Sequence, residues 1–560
     1  MNFRNVGRIT AAAGLIALTA CETSLEVPNE DQPNIQRALS TPDGIRAILS
    51  NGFSQMLGAT HATSTAVQVG AHVMSFESYG SVANFGMALR ATIPRTPIDN
   101  SKGNTTQAET LRDFEQLSLR GRTLAKAITA LDQLTAGGGT LGSAAENARA
   151  RSFGFFALAI SNGHMALVYD SVGVSTPALT DIEIPPLTGY ADAMTVALAQ
   201  IDTAIKIAQD AQAAGNGFTL PTSWLRTRGG ALGVADYIRF MRSIKARLRA
   251  NVARSPAERA AVDWNQVIAD AQNGITADLV LDLNSNEGWG NQWINEAARF
   301  IGWHGMTPYI IGMADTSGSY DTWLATGRSA RDGKAFIIHT PDTRFPAGAT
   351  RAAQLAASPA ADAELPGVYF RNRAPGDDTP GEAWGLSPYD FVRFRSYRQK
   401  SQIGPWVYMS SEEVDMLRAE GLMRLNRDAE AMPLINASRT AHGLEPFPAG
   451  STKDTPAPLE VAGRPNSCVP RTPTGPGGSI VCGSMYEAMK WEKRMETLFT
   501  GYAAWFMDSR GWGDLTVGTP VNWPVPYQEL DARRAAIYSS QTGDNWIAPS
   551  STYGFGVGTR

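Results

Sequence analysis

Ala150-Arg-Ser-Phe153-Gly-Phe-Phe156-Ala157-Leu-Ala-Ile160-Ser-Asn-Gly-His164-Met-Ala-Leu167-Val168 is the stretch that decides the fold. Phe153, Phe156, Ala157, Ile160, His164, Leu167 and Val168 recur at helical spacing and lay one apolar face along a helix over 146–169. Tyr190, Met194, Ala197, Ile201, Ala204, Ile205 and Ala208 repeat the pattern within 188–213. Val234, Ile238, Met241, Ile244 and Leu248 repeat it within 231–252. Leu111 to Leu134 supplies a helix before the first stripe, and Trp264, Val267, Ile268 and Ala271 mark a shorter one. The helices therefore come in pairs, 111–134 with 146–169 and 188–213 with 231–252.

Paired helices at intervals suggest a tetratricopeptide-like scaffold, although strict 34-residue self-similarity is absent. A second helical group lies in the C-terminal third. Ser410-Ser-Glu-Glu413 forms a capping box ahead of Val414, Leu417 and Leu425. A helix over 428–441 ends at His442-Gly443, where Gly suits the position after the last turn. Ser484-Met-Tyr-Glu487 opens a helix whose stripe is Ala488, Trp491, Met495, Leu498, Phe499 and Tyr502. Between the groups, 276–406 holds Gly, Pro, Trp and short polar clusters with no sustained period. A stretch of that length without long elements is more often functional than a plain connector. Residues 61–105 are similar on a smaller scale, and the tail from 513 is loop-like. The expected fold is mainly α: helical repeats at 111–275 and 408–443, a loop-rich region at 276–406, a C-terminal helix at 484–506 and few short strands.

Length and charge narrow the function. The chain has 560 residues, 43% of them hydrophobic and 18% charged, which is globular composition. A net charge of −4 makes phosphate-backbone binding a poor fit, so no nucleic acid is expected. Arg4 and Arg8 precede an apolar run from Ile9 to Leu18, the pattern of an export signal over 1–20. It ends in Leu18-Thr-Ala-Cys21, which resembles a lipoprotein lipobox with Cys21 as the lipidated residue. Residues 21–34, polar and with Pro28 and Pro33, read as a tether, and acyl chains at Cys21 would be the membrane anchor. Beyond Cys21 only Cys468 and Cys482 remain. An oxidising compartment favours a disulfide between them over free thiols or a zinc pair.

No motif with catalytic spacing is present. The six His fit neither HExxH nor another metal spacing, and His164 on its apolar stripe reads as a core residue. Gly327 to Lys334 has one residue too many for a phosphate loop and ends in Ala335 where a hydroxyl is needed. Asp282-Leu-Asn284-Ser-Asn286 begins like a calcium loop but has Glu287 where Gly is required. No enzyme activity, cofactor or metal is expected. Aromatic clustering does stand out. Trp289, Trp293, Trp303, Tyr309, Tyr320 and Trp323 crowd one loop-rich segment, interleaved with Asn284, Asn286, Asn291, Gln292, Asn295 and His304. Indoles stack on the C–H faces of sugars while amides take hydroxyls, so the mixture suits a glycan. The same residues could equally pack the loops onto the helices.

Several stretches together resemble the SusD/RagB family of outer-membrane nutrient-binding lipoproteins. They are the Cys21 lipobox with its tether, Ala150 to Ile160, Val414-Asp-Met-Leu-Arg-Ala-Glu420, and Ile435-Asn-Ala-Ser-Arg439-Thr-Ala-His-Gly443-Leu. Trp491-Glu-Lys-Arg494-Met-Glu496-Thr-Leu498-Phe499-Thr-Gly501 with Trp505-Phe-Met-Asp508-Ser-Arg510 follows, and then Trp523-Pro-Val-Pro526-Tyr-Gln-Glu529. Thr500 stands where the family has Glu, and the segment to Trp505 is one residue longer. The resemblance implies a single domain over 35–560, anchored in the outer membrane and facing the cell surface. It implies a non-catalytic lid that captures an oligosaccharide, or a peptide, and passes it to a TonB-dependent β-barrel transporter. A secreted glycan-degrading enzyme, which needs two carboxylates at a cleft, and a tetratricopeptide-type assembly scaffold are the competing readings. On the resemblance, Trp289, Trp293, Trp303, Tyr309 and Trp323 are stacking candidates, with Tyr79, Asn84, Phe85 and Arg90 as a second group.

Overall fold

Four long helices carry the first half of the chain in the computed structural model, which describes residues 35–557 apart from 65, 81–83, 105–107, 181–182, 299–303, 328–334, 376–387 and 541–545. Three short helices come first: α1 Pro42–Ser50, α2 Gly52–Thr60 and α3 Val67–Met74. The long ones are α4 Ala108–Ala136, α5 Ala144–Val168, α6 Tyr190–Ala213 and α7 Val234–Asn251. Each packs against the next as antiparallel hairpins do, and α1 and α2 lie across α4 and α5. The stripe on α5 is buried along its length, with Phe153, Phe156 and Ala157 fully covered. Gly154 permits the close approach of α1, since a Cβ there would meet Leu49 Cδ2 at 2.7 Å. Ser143 caps α5 by accepting the Glu146 N–H.

The second helical group is α8 Trp264–Gln272, α9 Ser411–Arg424, α10 Asp428–Ala441, α11 Met485–Thr497 and α12 Ala504–Trp512. Both capping boxes form: Ser410 accepts from Glu413 N–H and Ser484 from Glu487 N–H. The helix expected over 484–506 is in fact two. It stops at Thr497 and resumes at Ala504 because Phe499, Gly501 and Ala503 take left-handed φ of 55°, 59° and 51°. The apolar stripe continues across the break, so periodicity conceals it.

Strands are few and short. β1 Tyr79–Gly80 pairs with β3 His304–Gly305, and β2 Leu279–Asn284 pairs with β6 Ile403–Met409. β4 Phe370–Asn372 pairs with β5 Tyr389–Phe391, and β7 Arg471–Pro473 with β8 Ile480–Cys482. The β2–β6 ladder clamps the two ends of the loop-rich region together. Leu279, Leu281 and Leu283 alternate inward along β2. Within the region, short helices such as Gln292–Ala297 and Ser319–Ala325 interrupt the loops. Residues 61–105, expected as loop, contain α3, whose length is too short for periodicity to signal. One apolar core runs from Ile45 to Phe555, and a smaller one joins α9, α10 and α11. Among the described residues no helix is long and apolar enough to cross a membrane. The expected signal, tether and Cys21 lie outside the described residues.

Candidate functional site

The aromatic residues picked from the loop-rich segment point inward. Trp289 is 5% exposed, Trp293 1%, Tyr309 0% and Trp323 5%. Trp289 sits at the end of the β2 turn and meets Phe53 of α2 with ring centroids 6.1 Å apart. Trp293 stacks on His72 of α3 at 5.7 Å. Tyr309 lies among Phe76, Trp323 and Phe555, at 4.9, 5.3 and 4.8 Å. The Tyr320 hydroxyl donates to the Tyr309 carbonyl at 2.7 Å. These four rings therefore fasten the loops to the helices, and the expected open stacking faces are not found at these positions. The physical reason is their size: large apolar rings close to the core gain more by burial than by exposure. Trp303 lies outside the described residues.

The second group divides. Tyr79 is 2% exposed, and Arg90 is 3% exposed. Arg90 donates to the Thr96 and Pro97 carbonyls and pairs with Glu109 at 3.2 Å, so it fixes the loop after β1. Phe85 is half-buried and holds φ 54°, ψ 19°, next to Gly86 at φ 78°. A non-glycine residue in that region costs on the order of 1–2 kcal/mol, and such strain clusters at functional sites. The side chain of Asn84 lies outside the described residues. The β1–β3 ladder joins the two groups, which are more than 200 residues apart in sequence. Tyr79 faces Gly305 and Gly80 faces His304, so the chain leaving toward Phe85 and the chain arriving from 303 meet at one ladder end. Phe336 was missed. Half-buried, it covers the outer side of Trp323 at 5.5 Å and Tyr320 at 6.1 Å. The apolar run Phe336-Ile-Ile338 directly after the false phosphate loop was the available signal.

The charged motif residues of α11 are structural. Every residue from Lys490 to Thr497 is buried. Glu492 meets Arg344 at 3.0 Å, Lys493 meets Asp508 at 2.7 Å, Lys490 and Arg494 both hold Asp514, and Glu496 meets Arg393 at 3.1 Å. Arg259 bridges Glu420 of α9 and Asp508 of α12 at 2.6 and 3.0 Å. Burial pushes the Glu420 carboxyl up, but Arg259 and Arg424 outweigh it and hold it far below the usual range. Thr500 is fully buried and its Oγ1 has no hydrogen-bond partner.

Three buried His surround the 498–503 break. His61 Nε2 bonds the Gly501 carbonyl at 2.8 Å, and a carbonyl only accepts, so Nε2 carries the proton. His164 packs on Tyr502 at 4.8 Å, and His72, bonded to Glu77, lies over Phe499 at 5.2 Å. The other Glu77 oxygen accepts the Phe499 N–H at 2.6 Å. Burial lowers His61 to about 4 and His164 to about 3. Cys468 and Cys482 are joined as a disulfide that closes the β7–β8 hairpin. Asp282 and Asn284, from the calcium-like run, are used locally, Asp282 toward Arg228 and Asn284 as a turn cap.

No family model matches the chain, and no curated protein matches it. Among solved structures it is similar to a SusD superfamily protein from Bacteroides thetaiotaomicron VPI-5482, at 12% identity and a TM-score of 0.47, covering 89% of this chain and 96% of that one. It is similar to a SusD homolog from Bacteroides uniformis ATCC 8492, at 13% identity and a TM-score of 0.49, covering 90% and 99%. It is also similar to a chitin-binding SusD homolog from Flavobacterium johnsoniae, at 13% identity and a TM-score of 0.44, covering 82% and 85%.

Proposed function

We propose that the protein is a SusD/RagB-type nutrient-binding lipoprotein, non-catalytic, anchored through Cys21 at the outer membrane and facing outward. It captures an oligosaccharide and passes it to a TonB-dependent β-barrel transporter. The observation that carries the reading is the β1–β3 ladder, which gathers both candidate loops at one place on a helical scaffold. The ordered motifs support it, from the lipobox to Trp523-Pro-Val-Pro526. With Trp289, Trp293, Tyr309, Trp323 and Tyr79 buried, contact with the sugar passes to residues at the ladder rim. Phe85, with Asn84 before it in sequence, is the described candidate there; Trp303 directly precedes β3 in sequence, and Phe336 lies on Trp323 and Tyr320. Few aromatic contacts give modest affinity, which suits a hand-off. A shallow groove of about 480 Å³ runs along α4–α6, lined by residues such as Asp132, Arg151 and Asp210, and one of about 520 Å³ lies between α4, Leu39 and Pro177. Affinity electrophoresis of the mature chain through gels holding soluble polysaccharides tests the ligand class. Retardation by at least one glycan is expected. No retardation by any, with retention of peptides instead, would move the reading to peptide capture.

A further inference from the structure

The geometry points to a divalent transition-metal site, zinc being the ion of choice, formed by Glu412, His442 and Glu496. The three residues come from the start of α9, the end of α10 and the end of α11, 30 and 54 positions apart, which is why no sequence spacing announces them. Their ligand atoms converge. His442 Nε2 lies 3.2 Å from Glu412 Oε2 and 3.6 Å from Glu496 Oε1, and all three atoms fall within 4.8 Å of one another. Zinc bound at about 2.0–2.1 Å by N and O ligands in a tetrahedron needs neighbouring donors about 3.3 Å apart. Two of the three edges are already near that length.

The surroundings are built for such an ion. The Tyr369 hydroxyl donates to Glu496 Oε1 at 2.7 Å, so that ligand oxygen is oriented from behind, and Ser438 Oγ lies between Glu492 Oε2 at 2.9 Å and Glu412 Oε2 at 3.2 Å. Arg393 takes the other Glu496 oxygen and leaves Oε1 toward His442. Arg344 Nη1 stands 3.8 Å from Glu496 Oε1, outside hydrogen-bond reach. A separate observation is the charge balance. Four carboxylates, Asp342, Glu412, Glu492 and Glu496, share this pocket with two guanidiniums, Arg344 and Arg393, since Arg439 is paired with Glu460. Glu492 Oε1 is buried with no hydrogen-bond partner, and Ser438 links its other oxygen to Glu412. Formal charge leaves the carboxylates in excess of the guanidiniums, and one divalent ion with a neutral imidazole offsets the excess. Glu412 and His442 have side chains 31% and 15% exposed, which gives the ion a path in and a water for the fourth position. The ion would pin three helices together where the 498–503 break begins.

The test uses the mature chain stripped with chelator, then titrated calorimetrically with zinc, with calcium and magnesium as comparators and cobalt(II) as a spectroscopic probe. One equivalent of zinc is expected, with a raised Tm and a tetrahedral cobalt absorption band. Glu412→Gln and His442→Ala are each expected to lower zinc affinity at least about tenfold and to abolish the Tm rise. Should His442→Ala fail to fold, Glu412→Gln, at a third-exposed position, carries the comparison alone. No zinc uptake, or uptake unchanged in Glu412→Gln, overturns the proposal and leaves His442 as an ion-pair partner only.

Discussion

The α11 region and the 276–406 region bury their most conspicuous residues by opposite chemistry. Around α11, charges are taken out of water and answered by charges: Arg259 with Glu420 and Asp508, Arg494 with Asp514. In the loop-rich region, rings are answered by rings: Trp293 with His72, Tyr309 with Trp323 and Phe555. The sequence marks only the rings as candidate binding residues, yet both sets are structural. A charge on a helix and an indole in a loop are each available for a ligand or for a neighbour, and only tertiary packing decides.

The comparison predicts where substitution hurts. Arg259→Ala leaves buried Glu420 with Arg424 and buried Asp508 with Lys493, each short of the cation that joined them. It should cost about 3–5 kcal/mol in urea unfolding, the largest effect expected here. A cost below about 1 kcal/mol would mean the network is not tied into the core. Trp293→Ala should cost about 3–4 kcal/mol by the cavity it opens, with glycan binding altered only through lost stability. Selective loss of binding at full stability would restore Trp293 as a contact.

Acid should act on the break between α11 and α12. His61 and His164 are lowered below their usual value, so their neutral forms contribute stability above pH 6.5, and that contribution is lost as pH falls toward about 4 and about 3. Tm measured from pH 7 to 4 should decline, and His164→Phe should flatten the decline; an unchanged slope would remove His164 from the account. Replacing Cys468 and Cys482 with Ser frees a loop of 14 positions' separation and should cost about 3 kcal/mol. The smallest stability effect belongs to Phe85→Gly, which relieves a left-handed φ and should leave Tm within a few degrees while weakening glycan retention. Retention unchanged would shift the contact to Phe336.

Much of the helical frame was legible. The stripes on α5 to α7 and the Ser410 and Ser484 capping boxes are local signals, and α10 spans Asp428–Ala441, stopping where His442-Gly443 marks its end. The break after Thr497 was not legible, because Leu498, Phe499 and Tyr502 keep the helical rhythm while Phe499 and Ala503 adopt left-handed backbone. Gly501 was the one residue that hinted at it, and its left-handed turn brings Arg247 close beneath. The site was less legible. Phe85 and Arg90 were singled out together, yet one is strained at the rim and the other braces the loop from inside. The β1–β3 pairing that unites residues 79 and 305 is non-local and has no sequence signature.

The most direct test is a mild-detergent pull-down of the tagged full-length protein from the membrane fraction of its native cells, followed by mass spectrometry. A large β-barrel recovered in roughly equal amount is the predicted result, and a co-purifying glycan would name the cargo. Recovery of the protein alone, or with periplasmic assembly factors, would contradict the import role.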